Sequence, residues 1–342
     1  MIAGRFFFEI SPNQILLMEG PWSSSSQGAE WEIAILPFKP LKGVSPSFLN
    51  AERVSLVSRE ELTRGNSLNS VPHLEWSTSP RQDFQKSFQE LQTLIRQGWA
   101  QKGVPWASQR ANLPNARILW DSVLKHCTTL AQTLTLYGAE FPNESVLGAT
   151  PEWLFRIEAG GKKLHTLALA GTRWPEQARP DSQEKKDARE HELVVEDIVQ
   201  RLKPFGRVTL GERSWRAAGG VEHLHTPIEL VSETTLDAVE LLSVLHPTPA
   251  VGVFPRTPAA LQWLAELPGH ETRADFAAPW VVRHRGDGRA WALVALRQLR
   301  LRDDHVFIPA GCGVLADSVE EVEWKEIQEK IHSVKRAWGL TD

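Results

Sequence analysis

The chain has few cysteines, no block of one charge and no long apolar run, and each shortage excludes a class of protein. Cys127 and Cys312 are its two cysteines, and their separation offers neither a disulfide framework nor the ligand spacing of a zinc site. The formal net charge of -4 comes without a basic stripe, which argues against a nucleic-acid partner. No apolar stretch reaches membrane-spanning length, and the N-terminal residues lack the apolar core of a signal peptide. We therefore expect a cytoplasmic protein without a membrane partner.

What the sequence does contain is a mixture of hairpin and helix patterns. A hydrophobic content of 42% is ordinary for a globular chain and permits a sizeable core. The segments "WLFRIE" and "KLHTLALAGT" flank two glycines and predict a hairpin, as do "AWALVALRQLRL" and "HVFIPAG" around Asp303 and Asp304. Helices are predicted at roughly 183–203 and 318–338. Hairpins mixed with helices favour an α+β fold over alternating βαβ units.

The segment "SVLHPTPAVGVFPR", residues 243–256, is apolar but irregular. Pro247, Pro249 and Pro255 each remove a backbone donor, so they rule out a continuous helix and argue against a central strand. Irregular backbone between regular elements often forms part of a binding site, but a rigid buried connection would have the same sequence. The residues themselves leave both interpretations open.

One carboxylate in the first long helix falls on its apolar side. Val194 and Ile198 belong to the predicted buried stripe, and Glu190 lies one turn before Val194 on that side. The helix macrodipole favours a glutamate near a helix start, and this alone accounts for the position. The pattern indicates an inward carboxylate without giving it a role.

The last helix also carries charge beside its apolar stripe. Ser318 and Glu321 have the spacing of a capping box, and Glu323, Glu326 and Lys330 run alongside the stripe. A solvated Glu–Lys pair one turn apart accounts for this spacing. Carboxylates on two helices would also suit a hard cation such as Mg²⁺. The predicted buried residues are Val322, Ile327, Ile331, Val334 and Trp338.

An arginine shares the apolar side of a predicted strand. Trp291, Leu293 and Leu299 have the same parity as Arg297, so the guanidinium is expected to point toward the interior. A buried arginine needs a carboxylate partner. A protein carboxylate and a ligand carboxylate are equally suitable.

Several separate motifs make the chain resemble a known enzyme family. In chain order they are "GATPEWLFRI", "LALAGTRW", "KKDAREHELVVEDIV", "LLSVLHPTPAVGVFPR" and "IPAGCGVLADSVEEVEWKEIQEK". Their order and spacing resemble those of the chorismate-utilising enzymes, and most closely those of the isochorismate synthases. The resemblance covers residues 81–340. Residues 1–80 resemble the family loosely and look shorter than usual.

The resemblance implies a single chorismate-binding domain over residues 1–342. Two stacked, mainly antiparallel sheets would form a large sandwich wrapped by helices, with the active site in the cleft between them. The proline-rich segment would form one wall of the chorismate site.

The implied activity is the Mg²⁺-dependent conversion of chorismate to isochorismate, for menaquinone or siderophore biosynthesis. Water attacks the ring beside the carboxylate-bearing carbon while the ring hydroxyl departs across the diene, which requires one base and one acid. By resemblance, Lys102 is the base and Glu152 is the acid. A lysine serves as a base near neutral pH only if its pKa is lowered, and the glutamate needs a raised pKa.

The other residues implied by the resemblance hold the metal and the substrate. Glu190 and Glu326 would bind Mg²⁺, with Glu323 in its water shell, and the metal would take the ring carboxylate. Arg297 and Lys330 would bind the pyruvyl carboxylate. Further substrate contacts are expected from Gly171, Thr172, His246, Thr248, Gly311 and Gly313.

The chain departs from the family pattern at several positions. Pro105 interrupts a strand that relatives continue after the lysine, and Ala107 replaces an arginine. Val253 and Ala278 stand where relatives have glycine, and Val281 replaces a third. Because an added Cβ can block an approach that glycine permits, an altered substrate or a damaged enzyme is possible.

Two alternatives to isochorismate synthesis therefore stay open. Salicylate or anthranilate chemistry would use the same fold, whereas a degenerate homologue would bind chorismate or a partner without turnover. Ala170 stands where relatives that make aminodeoxychorismate carry a nucleophilic lysine, so a covalent-lysine mechanism is disfavoured. The sequence determines neither the pathway nor the oligomeric state.

Overall fold

A computed structural model of the protein describes residues 4–24, 28–38, 46–64, 71–77, 81–112, 116–141, 144–175, 180–267, 273, 276–302 and 304–340. The strands are β1 (Arg5–Ser11), β2 (Gln14–Ser23), β3 (Trp31–Ile35), β4 (Asn50–Val57), β5 (Lys102–Gly103), β6 (Trp106–Asn112), β7 (Thr135–Phe141), β8 (Glu144–Thr150), β9 (Trp153–Ile157), β10 (Lys163–Arg173), β11 (Arg207–Leu210), β12 (Ser214–Ala218), β13 (Val221–Val231), β14 (Val253–Phe254), β15 (Pro279–His284), β16 (Ala290–Val294), β17 (Gln298–Arg302) and β18 (His305–Gly311). The helices are α1 (Arg59–Leu62), α2 (Arg81–Arg96), α3 (Ala116–Leu124), α4 (Asp181–Leu202), α5 (Ala238–Leu245), α6 (Pro258–Glu266) and α7 (Glu320–Ala337), with short 3₁₀ turns at Lys125–Thr129 and Lys203–Phe205.

Two large antiparallel sheets form the body of the protein. The first has the strand order β4-β2-β1-β7-β8-β17-β18-β6. The second has the order β11-β13-β10-β9-β16-β15-β3, and β12 also pairs with β13. A separate two-stranded ladder joins β14 to β5. The predicted α+β fold with a large, mainly antiparallel two-sheet sandwich is confirmed.

The alternation of side chains along β1 explains how the two sheets meet. Phe6 and Phe8 belong to one buried aromatic cluster, whereas Phe7 belongs to the larger core cluster. The ring of Phe6 stacks on Trp280 at 5.6 Å, and the ring of Tyr137 meets Trp280 edge-on at 4.9 Å. Because Phe6 and Tyr137 come from the first sheet and Trp280 from the second, this aromatic layer joins the sheet faces.

Two long helices each cover part of a sheet. Helix α4 packs on β10 and β13, and helix α7 packs on β18 and β6. Both helices were predicted within about two residues of their observed ends. On α4, the predicted stripe of Val194, Ile198 and Leu202 is buried. The sequence period therefore identified the face of α4 that contacts the second sheet.

Two details predicted for α7 are wrong. The N-cap is Val319, and no side chain caps the helix; the Ser318 hydroxyl instead accepts a hydrogen bond from the Leu315 amide at 3.0 Å. Val322 is 46% exposed. It lies five positions before Ile327, a spacing that puts the two side chains on different faces of a helix. Glu323 lies on the buried side instead.

The segment predicted as one strand around Arg297 is two strands in different sheets. Strand β16 belongs to the second sheet and β17 to the first, and residues 295–297 connect them. Arg297 has a positive φ of 51°, which turns the chain at this crossing. The alternation of side chains along a strand therefore does not determine the direction of Arg297, because the chain is not one continuous strand here. The hairpin of β17 and β18 is confirmed, as is that of β9 and β10.

The N-terminal residues are integral to both sheets. Strands β1, β2 and β4 lie in the first sheet, and β3 forms an edge of the second. The buried guanidinium of Arg59 donates to Glu9 at 2.7 and 2.9 Å and to the Leu130 carbonyl at 2.9 Å. Within the described ranges, no helix is long and apolar enough to span a membrane.

Candidate active site

A cavity lies where β18 of the first sheet approaches β10 and β13 of the second. Helices α4 and α7 close it. The volume that the centres of water molecules can occupy in it is about 90 Å³. This is room for several waters or one small organic molecule. Four predicted charged residues line it, namely Glu152, Glu190, Arg297 and Lys330. The structure therefore brings together residues that are far apart in sequence.

Lys186 links the carboxylates of the two helices beside this cavity. Its ammonium nitrogen lies 2.7 Å from Oε1 of Glu323 on α7 and 3.7 Å from Oε2 of Glu190 on α4. Lys186 and Glu323 are almost completely buried. Burial opposes the charge, but Glu323, Glu190 and Glu326 raise the pKa of Lys186 above its ordinary value. Lys186 was not predicted as a site residue, although its spacing of four from Glu190 on one helix places the two side chains together.

Lys102 is held just behind the cavity wall. It pairs with Phe254 in the β5–β14 ladder, and it is fully buried. Its ammonium group donates to the Pro249 carbonyl and lies 3.3 Å from Oε1 of Glu190. Burial lowers the pKa of Lys102, although Glu190 acts in the opposite direction. Pro105 ends the β5 strand after two residues, and yet the lysine still points inward.

Two glycines of the β18 region permit this close packing. A Cβ on Gly313 would lie 1.9 Å from Oε1 of Glu190 and 2.9 Å from Cε of Lys102. A Cβ on Gly311 would lie 3.0 Å from the Pro105 carbonyl oxygen. Both glycines line the cavity. Glycine at 313 is therefore required for Glu190 and Lys102 to lie where they do.

Glu152 supplies a carboxyl group with a strongly shifted pKa. It follows Pro151 between β8 and β9, where its amide donates to Oγ1 of Thr150 at 3.2 Å and its carbonyl accepts from the Val294 amide at 3.1 Å. Burial raises the pKa of Glu152 to about 8, against the charges of Lys102 and Lys330. A group with this pKa is mostly protonated at neutral pH and can donate its proton.

The Glu–Lys pair on α7 joins a buried glutamate to a half-buried lysine and does not lie in open solvent. The Lys330 ammonium lies 2.7 Å from Oε1 of Glu326 and donates to the Gly311 carbonyl at 2.9 Å. Burial alone would raise the pKa of Glu326, but Lys330 and Lys186 lower it to about 2. Lys330 therefore keeps its positive charge at the cavity wall.

Arg297 is oriented by a histidine that the sequence analysis missed. One guanidinium nitrogen donates to the Ala218 carbonyl, and the other lies 2.8 Å from Nε2 of His223. Nδ1 of His223 lies 3.2 Å from the Gly171 carbonyl, so the ring donates there and accepts from Arg297. Burial and the nearby Arg297 charge lower the pKa of His223 to about 3. No sequence signal marked His223, because β13 shows no unusual pattern around it.

The remaining predicted contacts divide into two groups. Gly171 and Thr172 line the cavity from a bulge in β10. His246 and Thr248 are buried but do not line it; Ala250 supplies that wall. Within the described part of the chain, both ring nitrogens of His246 and the hydroxyl of Thr248 have no hydrogen-bond partner. The structure thus separates these two residues from the cavity into which we expected them to project.

The proline-rich segment does form a wall, through its backbone and small side chains. Ala250 and Val251 line the cavity. The Pro249 carbonyl accepts from Lys102, and the Val251 carbonyl accepts from Arg273 at 3.3 Å. The backbone of this wall thus contributes carbonyl oxygens that hold cationic side chains.

The carboxylates suit a hard divalent cation in their chemistry. Glu190 and Glu323 already share one cation, the ammonium group of Lys186. Mg²⁺ typically takes one or two protein carboxylates and completes its shell with water and substrate oxygens. In the described part of the chain, no three acidic, histidine or cysteine side chains are grouped closely enough to hold a metal ion as they lie. The oxygen donors are of the type that Mg²⁺ prefers, and as the side chains lie the Lys186 ammonium contacts both Glu190 and Glu323.

A buried acid and a buried lysine beside a small cavity with cationic walls define an enzyme site for a small acidic molecule. The family comparison agrees with this geometry. A model of the family described as "Chorismate binding enzyme" matches residues 48–339. The chain therefore belongs to the family of chorismate binding enzymes, as its motifs predicted.

Individual relatives agree on the family but have different activities. The salicylate biosynthesis isochorismate synthase of Pseudomonas aeruginosa is 33% identical over 273 residues, which cover 76% of this chain and 56% of that protein. Anthranilate synthase component 1 of Aeropyrum pernix is 30% identical over 220 residues, covering 60% of this chain and 49% of that protein. The chain thus spans about half the length of these relatives.

A solved structure supports the fold. The putative 2,3-dihydroxybenzoate-specific isochorismate synthase DhbC of Bacillus anthracis superposes with a TM-score of 0.78, covering 99% of this chain and 97% of that one at 22% identity. This likeness covers both sheets, including the strands formed by residues 5–57.

Proposed function

We propose that this protein is an isochorismate synthase, which converts chorismate to isochorismate by water addition and loss of the ring hydroxyl. One observation carries the proposal. Burial raises the pKa of Glu152 to about 8, and Glu152 lines the same cavity as Glu190, which contacts the buried Lys102. A protonated acid and a lysine of lowered pKa are the pair that this isomerisation requires.

The roles follow from these protonation states. Glu152 gives its proton to the departing hydroxyl, and Lys102 removes a proton from the attacking water. The Lys102 ammonium is engaged by Glu190 and by the Pro249 carbonyl. It must lose a proton and leave these partners before it can accept one. Burial already acts in this direction by lowering the pKa of Lys102.

The cavity walls offer groups for the two carboxylates of chorismate. Arg297 and Lys330 present cationic groups that suit the pyruvyl carboxylate. Glu190 and Glu326 would hold Mg²⁺, with Glu323 in its water shell. When bound, the metal would neutralise the ring carboxylate and polarise it. The chain's own residues orient the substrate and move the protons.

The direct test is product analysis. Purified protein is incubated with chorismate and Mg²⁺, with and without ammonium, and the products are separated by chromatography. We expect isochorismate in both conditions. Anthranilate that appears only with ammonium would support the second reaction found among the relatives, and salicylate would indicate added pyruvate elimination. Binding without any product would support the non-catalytic alternative.

A variant tests the base. Lys102→Ala should lower turnover by about 10²- to 10⁴-fold while chorismate still binds, since removal of a general base costs this much in rate. Lys86→Ala is a matched control, because Lys86 is exposed on α2 and its partner Glu90 lies 4.0 Å away. Wild-type turnover in Lys102→Ala would refute the assignment of the base.

A further inference from the structure

Arg273 is a buried cation that the proposed roles do not use. Its side chain is 1% exposed and lines the active-site cavity. Its guanidinium lies over the Phe38 ring at 3.5 Å and near the Phe276 ring at 5.7 Å. Nη2 donates to the Val251 carbonyl at 3.3 Å, whereas Nε and Nη1 have no hydrogen-bond partner among the described residues.

Two other arginines with little exposed surface have carboxylate partners. Arg59 pairs with Glu9 at 2.7 Å, and Arg256 pairs with Asp197 at 2.8 Å. For Arg273, no ion pair is found with any described residue. An unpaired buried guanidinium is costly, so a residue that only filled the core would not be expected to keep two free donors. Burial also lowers the pKa of Arg273 to about 9.

The segment that follows Arg273 is fixed beside the segment that carries Arg297. The Ala277 amide donates to the Ala295 carbonyl at 2.8 Å, and the Ala295 amide donates to the Ala278 carbonyl at 2.9 Å. Both arginines line the same cavity. Among the residues that the structure describes, Arg297 likewise has no carboxylate partner, and its contacts are the Ala218 carbonyl and neutral His223. The cavity thus offers two guanidinium groups from adjacent segments to an anion.

We propose that Arg273 is a further substrate-binding residue, whose Nη1–H, together with the second Nη2–H, donates to the ligand carboxylate that Arg297 also faces. In chorismate, this is the carboxylate of the enolpyruvyl side chain, so the proposal rests on the proposed function for the identity of the substrate. Arginine presents two parallel donors that match a carboxylate. Arg273 selects dicarboxylate ligands over ring monocarboxylates.

The test compares two ligands by calorimetry, which does not depend on turnover. One is chorismate, and the other is 3,4-dihydroxycyclohexa-1,5-diene carboxylate, which keeps the ring carboxylate but lacks the enolpyruvyl group. Arg273→Met should weaken chorismate binding by about 10- to 100-fold, the usual effect of losing hydrogen bonds to a charged group. Binding of the monocarboxylate should stay within about 2-fold. Arg96→Met, at an exposed position of α2, is the control and should change neither affinity.

Three results would overturn the proposal. They are unchanged chorismate binding in Arg273→Met, equal weakening for both ligands, and failure of the wild-type protein to bind chorismate. Arg273→Lys keeps the charge but lacks the planar guanidinium, and it serves as the second variant if Arg273→Met does not fold. It should fold and should bind chorismate more weakly than wild type. Turnover is measured separately: Arg273-dependent binding without isochorismate formation would support this proposal and refute the proposed function.

Discussion

The packing around Gly313 yields a sharp prediction. A Cβ at this position would lie 1.9 Å from Oε1 of Glu190, whereas ordinary contact begins at 3.4 Å. In Gly313→Ala, the Glu190 carboxylate must therefore retreat by about 1.5 Å. The backbone of Gly313 is not in the left-handed region, so alanine itself causes no backbone strain. The whole effect should come from displaced active-site groups.

The expected loss is large for so small a change. A misplacement of about 1 Å at a reacting group can cost about 10²-fold in rate. The Cβ also meets Cε of Lys102 at 2.9 Å, so the proposed base moves together with Glu190. We expect kcat to fall by at least about 10²-fold. The affinity for Mg²⁺ should fall as well, because a proposed metal ligand is displaced.

The assay measures chorismate turnover across a Mg²⁺ titration, with circular dichroism as a check on folding. Gly286→Ala is the control: this glycine is exposed, its φ is ordinary, and the nearest contact of an added Cβ is 3.2 Å from His284. It should behave as wild type. Wild-type kcat and Mg²⁺ affinity in Gly313→Ala would show that Glu190 and Lys102 do not act from these positions.

Three other predictions follow from buried charges. Burial raises the pKa of Glu152 to about 8, so kcat/KM should fall as the pH rises above about 8 and the acid loses its proton; a pH–rate profile without this decline would exclude the role. Glu326→Gln should remove Mg²⁺-dependent activity while the protein stays folded, as tested by Mg²⁺ titration. Arg59→Ala should lower the free energy of unfolding by about 3–5 kcal/mol because Glu9 stays buried without its partner. Arg53→Ala, at an exposed pair, should cost less than about 1 kcal/mol in the same denaturation assay.

Local patterns predicted the regular elements well. The stripe through Val194 and Ile198 identified the buried face of α4, because helix packing repeats every three to four residues. Turn residues identified two hairpins, because the geometry of a hairpin turn depends on residues that are adjacent in sequence. The N-cap of α7 was predicted wrongly, since the Ser318 hydroxyl accepts from the Leu315 amide and does not cap the helix.

The charged centre of the site could be predicted only through the family motifs. Lys186 on α4 meets Glu323 on α7, and such a contact between distant segments leaves no periodic signal. Arg297 reaches the cavity through a positive φ at a crossing between sheets, which side-chain alternation cannot detect. His223 and Arg273 were missed because each is an isolated polar residue whose role depends on what folds against it.

The structure also weighs on the choice between an enzyme and a degenerate homologue. The second interpretation rested on the replaced glycines and on Pro105, which were expected to disturb the ligand site. Val253 and Ala278 are fully buried, and neither lines the cavity. Val253 pairs with Gly103 in the ladder that holds Lys102, so it supports the lysine's position rather than blocking a ligand. These departures thus alter packing behind the cavity wall. The acid, the lysine and the carboxylates stay together. Catalysis is therefore better supported than a degenerate, non-catalytic homologue.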